Sequence, residues 1–120
     1  MLESIKNLAN NGRVNSILAK AIGLLGIRLI GKASDKGTLE VLEKKRGENK
    51  SLPAVVSSLL EHGYKGGRLF IGHCNCADTV DKIKAMIKEK YNDAEIFIYK
   101  LRGLCSYYAE NGGFLIGFEK

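Results

Sequence analysis

Few residues in this sequence impose strong constraints of their own. Its 120 residues hold one proline, two histidines and three cysteines, with no tryptophan. An odd number of cysteines, with Cys74 and Cys76 too close to pair comfortably, argues against a disulfide framework and fits a reducing compartment. The apolar runs are only a few residues long, far short of the roughly 20 needed to cross a bilayer. No basic segment leading into an apolar stretch and a small-residue cleavage site opens the chain, so a cytoplasmic protein is expected. Catalytic signatures are equally scarce. No Gly-x-Ser-x-Gly elbow places a serine on a strand-to-helix turn, and Gly63-x-x-Gly66-Gly67 reads as a turn, not a phosphate loop. Basic residues interleaved with aromatics, as nucleic-acid binding would need, are also missing. The expectation is therefore a protein that is not an enzyme, with no cofactor, no metal and no nucleic-acid partner.

With 45% apolar residues the chain has material for a core, and its length suits one domain. The net charge of +6 is unevenly placed. Residues 1–50 carry ten Lys/Arg against five Asp/Glu, while residues 51–120 carry nine against eight. Lys44-Lys45-Arg46, with Lys50 just after, is the densest basic run. Such a run suits either a solvated strand end or a surface that meets an acidic partner, a phosphate or an anionic membrane.

The stretch from Gly12 to Gly47 organises the rest. Asn15 can cap a helix with its side-chain oxygen, and Ile17, Leu18, Ala21, Ile22 and Leu25 then share one face at spacings of three and four, with Gly26 as the stop. Ile27–Ile30 reads as a buried strand, Asp35-Lys36-Gly37 as a turn, and Thr38–Lys44 as a second strand, making a hairpin. Upstream, Leu2, Ile5, Leu8 and Ala9 fit one helical face ended by Gly12. Downstream, Ser51 and Pro53 mark the start of a helix whose apolar face is Leu52, Val55, Val56, Leu59 and Leu60. A strand Arg68–Gly72 follows, then a helix capped by Asn75 with Ala77, Val80, Ile83 and Ile87 on one side. A strand Glu95–Lys100, a short helix within Gly103–Glu110 and a last strand Phe114–Phe118 complete the order. Strands separated by long helices favour parallel crossovers, whereas the hairpin forces an antiparallel pair. An α/β fold results, with a mixed parallel and antiparallel sheet of about five strands covered by helices.

His73-Cys74-Asn75-Cys76 is the most chemical-looking tetrapeptide. One reading activates its thiols at a helix N-terminus or gathers them with Cys105 around a metal. Neighbouring strand residues point to opposite faces, however, and a zinc site normally shows two separated ligand pairs, so small buried cysteines beside a loop histidine are the simpler reading.

Gly-Arg-Val-Asn-Ser, an apolar helix, the strand IRLIG, the D-x-G turn and a second strand ending in Glu-Lys-Lys-Arg-Gly resemble the opening of the C-terminal domain of the DegV family. The strand RLFIGHCN, the following helix, the strand AEIFIYKLRG and the terminal GGFLIGF continue in the same order. Members bind long-chain fatty acids in the bacterial cytoplasm, and some carry the fatty acid for a fatty acid kinase. The resemblance implies one domain over residues 1–120, a long-chain fatty acid as ligand, and as partners a fatty acid kinase subunit or a companion N-terminal domain that holds the carboxylate.

An acyl chain needs a long apolar tunnel, and the chain has material for one in Ile17, Leu18, Ala21, Ile22 and Leu25 together with Leu29, Phe114 and Ile116, although such residues more often form plain core. Arg13 and Arg46 match arginines common in the family. The family's His-x-Gly-Pro-Gly segment is replaced by Glu110-Asn111-Gly112-Gly113-Phe114, which keeps the turn's glycines in Gly112 and Gly113 but puts Glu110 where the histidine would be. A carboxylate there would repel an ionised fatty acid unless it were protonated or turned away. The alternative is a non-catalytic interaction domain that has lost lipid binding and pairs as a homodimer.

Overall fold

The computed structural model describes residues 1–22 and 24–120. Helix α1 spans Lys6–Asn10 and α2 spans Ser16–Ala21, and both belong to the N-terminal side of a hairpin made by β1 (Ile27–Ala33) and β2 (Leu39–Arg46). Then come α3 (Glu48–Glu61), β3 (Arg68–His73), α4 (Ala77–Lys90), β4 (Glu95–Lys100), α5 (Gly103–Ala109) and β5 (Phe114–Phe118). The mixed α/β class and the element order are those expected.

Several local signals act as read. The Asn15 side chain accepts a hydrogen bond from Ile17 N at 2.8 Å and starts α2. The hairpin turns at Asp35-Lys36-Gly37, where Gly37 takes φ 72°, a left-handed value that glycine adopts without strain. Several boundaries differ, three of them at helices after Gly12. The α2 helix stops at Ala21, and Leu24–Gly26 forms a separate 3-10 turn with Leu25 at φ 52°, so the apolar spacing from Ile17 to Leu25 does not lie on one helix. Asn75 does not cap α4; it sits at φ 55° with its amide bonded to Asn111, and the backbone N–H of Cys76 turns to His73 Nδ1 instead. Helix α3 begins at Glu48, three residues before Ser51, whose hydroxyl donates back to the Gly47 carbonyl.

The five strands divide between two sheets. One is the antiparallel β1–β2 pair; the other has the order β4-β3-β5, with β3–β4 parallel and β3–β5 antiparallel. What joins them is the first two residues of the sequence. Met1 exchanges both backbone hydrogen bonds with Phe114 of β5, at 2.8 and 3.0 Å. Leu2 exchanges both of its own with Leu29 of β1, at 2.8 and 2.9 Å. Leu2 therefore lies in a bridge between strands, outside the helix that its spacing with Ile5 and Leu8 suggested.

Two clusters form the core. In the larger one, Leu52, Val55, Val56 and Leu59 of α3 and Val80, Ile83 and Ile87 of α4 cover one face of the three-stranded sheet, meeting Leu69, Ile71 and Phe114. Each such side chain contributes about 1.5–3 kcal/mol by leaving water. The smaller cluster gathers Leu2, Ile5, Ile22, Leu29 and Ala109 on the other side of the bridge. Met1 and Leu2 thus send their side chains to opposite clusters, as successive residues of a strand do. Among the described residues no helix is long and apolar enough to cross a membrane.

Candidate functional site: a cavity between two sheet edges

Beyond Met1 and Leu2 the two sheets part, and a cavity of about 650 Å³ opens between the edge of β1 and the edge of β5. Ile30, Gly31, Lys32 and Ala33 form one wall, and Phe114, Leu115, Ile116 and Phe118 form the other. Val55 and Leu59 of α3 close it on one side; Leu8, Leu39 and Tyr108 lie on the other. Polar groups are few: Arg13, Thr38, Ser58, His62 and the lysines Lys32 and Lys120. An apolar recess of this size with sparse polar groups has the character of a small-molecule site, which typically measures about 300–1,000 Å³.

Arg13 holds one end together. Its Nη1 donates to the Gly37 carbonyl at 3.1 Å, and its own carbonyl accepts from Leu39 N, so the loop before α2 is tied to the hairpin. On the far side of that tie is a second depression of about 490 Å³, which shares Arg13, Thr38 and Leu39 and adds Asn15 and Leu18.

The residues proposed from sequence for the acyl site are scattered over three settings. Arg13, Phe114 and Ile116 line the main cavity, and Arg13 and Leu18 line the second depression. Ile22 and Leu29 are buried in the smaller core cluster, where Leu18 packs against them, and Ala21 is half-buried at the end of α2. Ile17 and Leu25 are 76% and 74% exposed and face outward, because α2 is too short to turn Leu25 back onto its face. On β5 the sequence reading named Phe114 and Ile116; the facing wall Ile30–Ala33 of β1, Leu115 and Phe118 of β5, and Val55 and Leu59 of α3 were not read as a site. Their only sequence signal was the apolar character of two strands, which cannot show that their edges face each other.

Glu110, Gly112 and Gly113 form the turn that leads into β5. Gly113 has no room for a side chain: a Cβ would stand 2.1 Å from the Ala109 carbonyl oxygen. Gly112 N donates to the Cys74 carbonyl and Cys74 N to the Gly113 carbonyl, which continues the β3–β5 ladder into the turn. Glu110 is turned away from the cavity. Its carboxylate accepts from the Ser4 hydroxyl at 2.9 Å and from Asn7 N at 3.1 Å, so it caps the start of α1. It does so from φ 58°, ψ 177°, a region almost reserved for glycine. Removing the carboxylate with Glu110→Ala should cost about 1–2 kcal/mol in urea unfolding. Glu110→Gly should recover part of that loss, because glycine adopts the backbone conformation freely; a glycine variant less stable than the alanine one would show that the conformation is not strained.

The cysteine segment carries no gathered ligand set. No group of three or more His, Cys, Asp or Glu suited to a metal occurs among the described residues. Cys105 is exposed on α5, whereas Cys76 is half-buried, donates to the Gly113 carbonyl and has its thiol pushed up by burial. A thiol held protonated in this way is a packing group, not a nucleophile. In the basic run, Lys44 and Arg46 are exposed, and Lys45 pairs with Glu43 of its own strand.

Comparison with known proteins follows the same lines. A DegV domain-containing protein of Streptococcus pyogenes is 44% identical over 119 residues, which is 99% of this chain and 42% of that protein. Among solved structures, the Streptococcus pneumoniae fatty acid kinase (Fak) B3 protein loaded with linoleic acid superposes with TM-score 0.93 at 42% identity, covering 98% of this chain and 42% of that one. A DegV family protein from Eubacterium eligens loaded with heptadecanoic acid gives 0.89 at 47% identity, over 96% of this chain and 42% of its own. The chain thus spans less than half the length of the relatives it matches. The DegV family model, described as "Uncharacterised protein, DegV family", matches residues 1–120. With that match running through hairpin, bridge, helices and terminal strand alike, the chain belongs to the DegV family.

Proposed function

We propose that this chain is a fatty-acid-binding domain that encloses an acyl chain in the cavity between β1 and β5. The observation that carries the reading is the cavity itself: about 650 Å³, walled mainly by apolar side chains, in a fold shared with relatives loaded with linoleic and heptadecanoic acid. Burial of an acyl chain there needs no catalytic group, and the reading assigns none to this chain. Arg13 and Thr38 at one end are the groups suited to meet polar atoms of the ligand. In a longer protein a companion domain would hold the carboxylate and the chain would be presented to a fatty acid kinase in the cytoplasm, the role borne by the Fak name of the pneumococcal relative. Glu110, occupied by α1, adds no repulsion to that arrangement.

Native mass spectrometry of the purified 120-residue chain, followed by denaturing extraction and lipid analysis, tests the reading. A stoichiometric long-chain fatty acid is the expected result. An empty monomer that also fails to take up linoleate from micromolar solution would remove acyl-chain enclosure from this domain, and an empty dimer would favour an interaction role.

A further inference from the structure

The outer edge of β4 carries unspent backbone groups. In a strand, every second residue directs its N–H and C=O at the neighbour on one side, and the residues between direct theirs to the other. Glu95 N donates to the Gly67 carbonyl and Leu101 N to the His73 carbonyl, so Glu95, Phe97, Tyr99 and Leu101 are committed to β3. Ile96, Ile98 and Lys100 direct theirs outward from the end of the β4-β3-β5 sheet, and among the described residues no other element bonds to them. Proteins normally blunt such an edge with proline, a bulge or charge. On β2, the outer strand of the other sheet, Glu40, Glu43, Lys44, Lys45 and Arg46 supply that charge. On β4 an unbroken Ile-Phe-Ile-Tyr runs between Glu95 and Lys100, in regular register with β3. The sheet face turned away from α3 and α4 adds Phe70, stacked on Phe97 at 5.1 Å, and Tyr99; Phe97 and Tyr99 are 46% and 52% exposed. The cavity lies at β5, two strands away, so this edge is independent of acyl-chain binding.

This edge is complementary to itself. A two-fold axis through Ile98 brings Ile98 against the partner's Ile98 and Ile96 against the partner's Lys100, and each of these pairs exchanges both backbone bonds. Phe97 then faces the partner's Tyr99 in a pair without backbone bonds, the kind whose side chains stand closest. Charge fits the same arrangement. Asp93 and Glu95 precede the apolar centre of β4, and Lys100 and Arg102 follow it. Antiparallel pairing sets the acidic end of one copy beside the basic end of the other, whereas parallel pairing sets like against like. We propose that the β4 edge is a self-association surface: its occupant is a second copy of this chain, joined β4 to β4 in antiparallel. The product is a six-stranded sheet in the order β5, β3, β4, then the partner's β4, β3 and β5. Helices α3 and α4 of both copies lie on one side of it, and on the other the row of Phe70, Phe97 and Tyr99 continues across the junction. The two cavities sit at the far ends of this sheet.

Sedimentation of the 120-residue chain between about 5 and about 500 μM reads the association, and amide hydrogen exchange at the two ends of that range locates it. The expected result is a monomer–dimer equilibrium. Exchange at Ile96, Ile98 and Lys100 should slow by roughly tenfold or more at the higher concentration, with Phe97 and Tyr99, already bonded to β3, unchanged. Two variants separate edge pairing from stacking of the open faces. Tyr99→Lys puts a charge at the junction and should weaken the dimer roughly tenfold or more. Gly117→Lys puts the same charge on the same face two strands away, where a Cβ meets nothing within 4 Å, and should leave the dimer unaltered. A chain that stays monomeric at about 500 μM overturns the proposal. So does a dimer in which Ile96, Ile98 and Lys100 exchange at the monomer's rate, or one that Gly117→Lys weakens as much as Tyr99→Lys does.

Discussion

Raising the pH from 5 to 8 should stabilise the 120-residue chain by about 3 kcal/mol through its amino terminus, and acetylating that terminus should abolish most of this gain. The cause is the Met1 amine. It is fully buried between the sheets, donates to the Phe114 carbonyl, and desolvation lowers it from 8.0 to about 5. Burial also pushes the neighbouring Cys76 thiol up, so that group stays neutral through this window and offers the amine no anion. Between pH 5 and 8 the unfolded amine binds a proton that the folded one does not. Stability therefore increases with pH across the window and levels off above about 9, where the amine is neutral in both states. Each tenfold change in proton affinity is worth about 1.4 kcal/mol, and half-titration of the folded amine at pH 5 and of the unfolded one at pH 8 trims the full difference to about 3 kcal/mol within this window. Urea unfolding of the free and acetylated chains at several pH values measures it, and the difference between the two profiles isolates the amine. Identical pH profiles would mean that the amine is solvated, and the Met1–Phe114 pairing would not survive that result.

The same buried amine shows what the sequence could not reveal. A two-residue strand has no periodicity, and Leu2 at three-residue spacing from Ile5 and Leu8 imitates a helical face. Its actual pairing with Leu29 is set by the hairpin, not by its neighbours in sequence. Elements with strong local causes were legible: the Asn15 cap, the Asp35-Lys36-Gly37 turn, the amphipathic faces of α3 and α4, and the strands Glu95–Lys100 and Phe114–Phe118. Features that depend on distant partners were not. Glu110 meets Ser4 and Asn7 across more than 100 residues, so its type alone suggested repulsion of a ligand where the fold uses it as a helix cap. The apolar residues of α2 looked like a lining because their spacing suits a longer helix; once the helix stops at Ala21, Ile17 and Leu25 point to the surface. The division into two sheets was also beyond pattern reading, since it rests on a gap that only the bridge at Met1 and Leu2 defines.

Phe114→Ala should lower stability by about 3–5 kcal/mol, the largest loss expected from any single side chain of the candidate site. Phe114 is fully buried, opens β5, and packs in the larger cluster with Met1, Ile30 and Ile71 while facing the cavity. The substitution leaves the backbone bonds to Met1 untouched, so its cost is the loss of aromatic burial plus the void left behind. That void joins an existing cavity and cannot be closed by collapse, because β1 and β5 are held apart by the bridge. Ile17→Ala and Leu25→Ala, on side chains already in water, should stay within about 0.5 kcal/mol of the parent chain. Urea unfolding of the three variants distinguishes a wall of the core from a surface stripe. A loss below about 1 kcal/mol for Phe114→Ala would place β5 outside the cooperative core. A large loss for Ile17→Ala or Leu25→Ala would restore α2 as a lining helix. With both outcomes as expected, the edge of β5 is a shared boundary: the fold needs Phe114 there for its core, and the same ring shapes the cavity for whatever enters it.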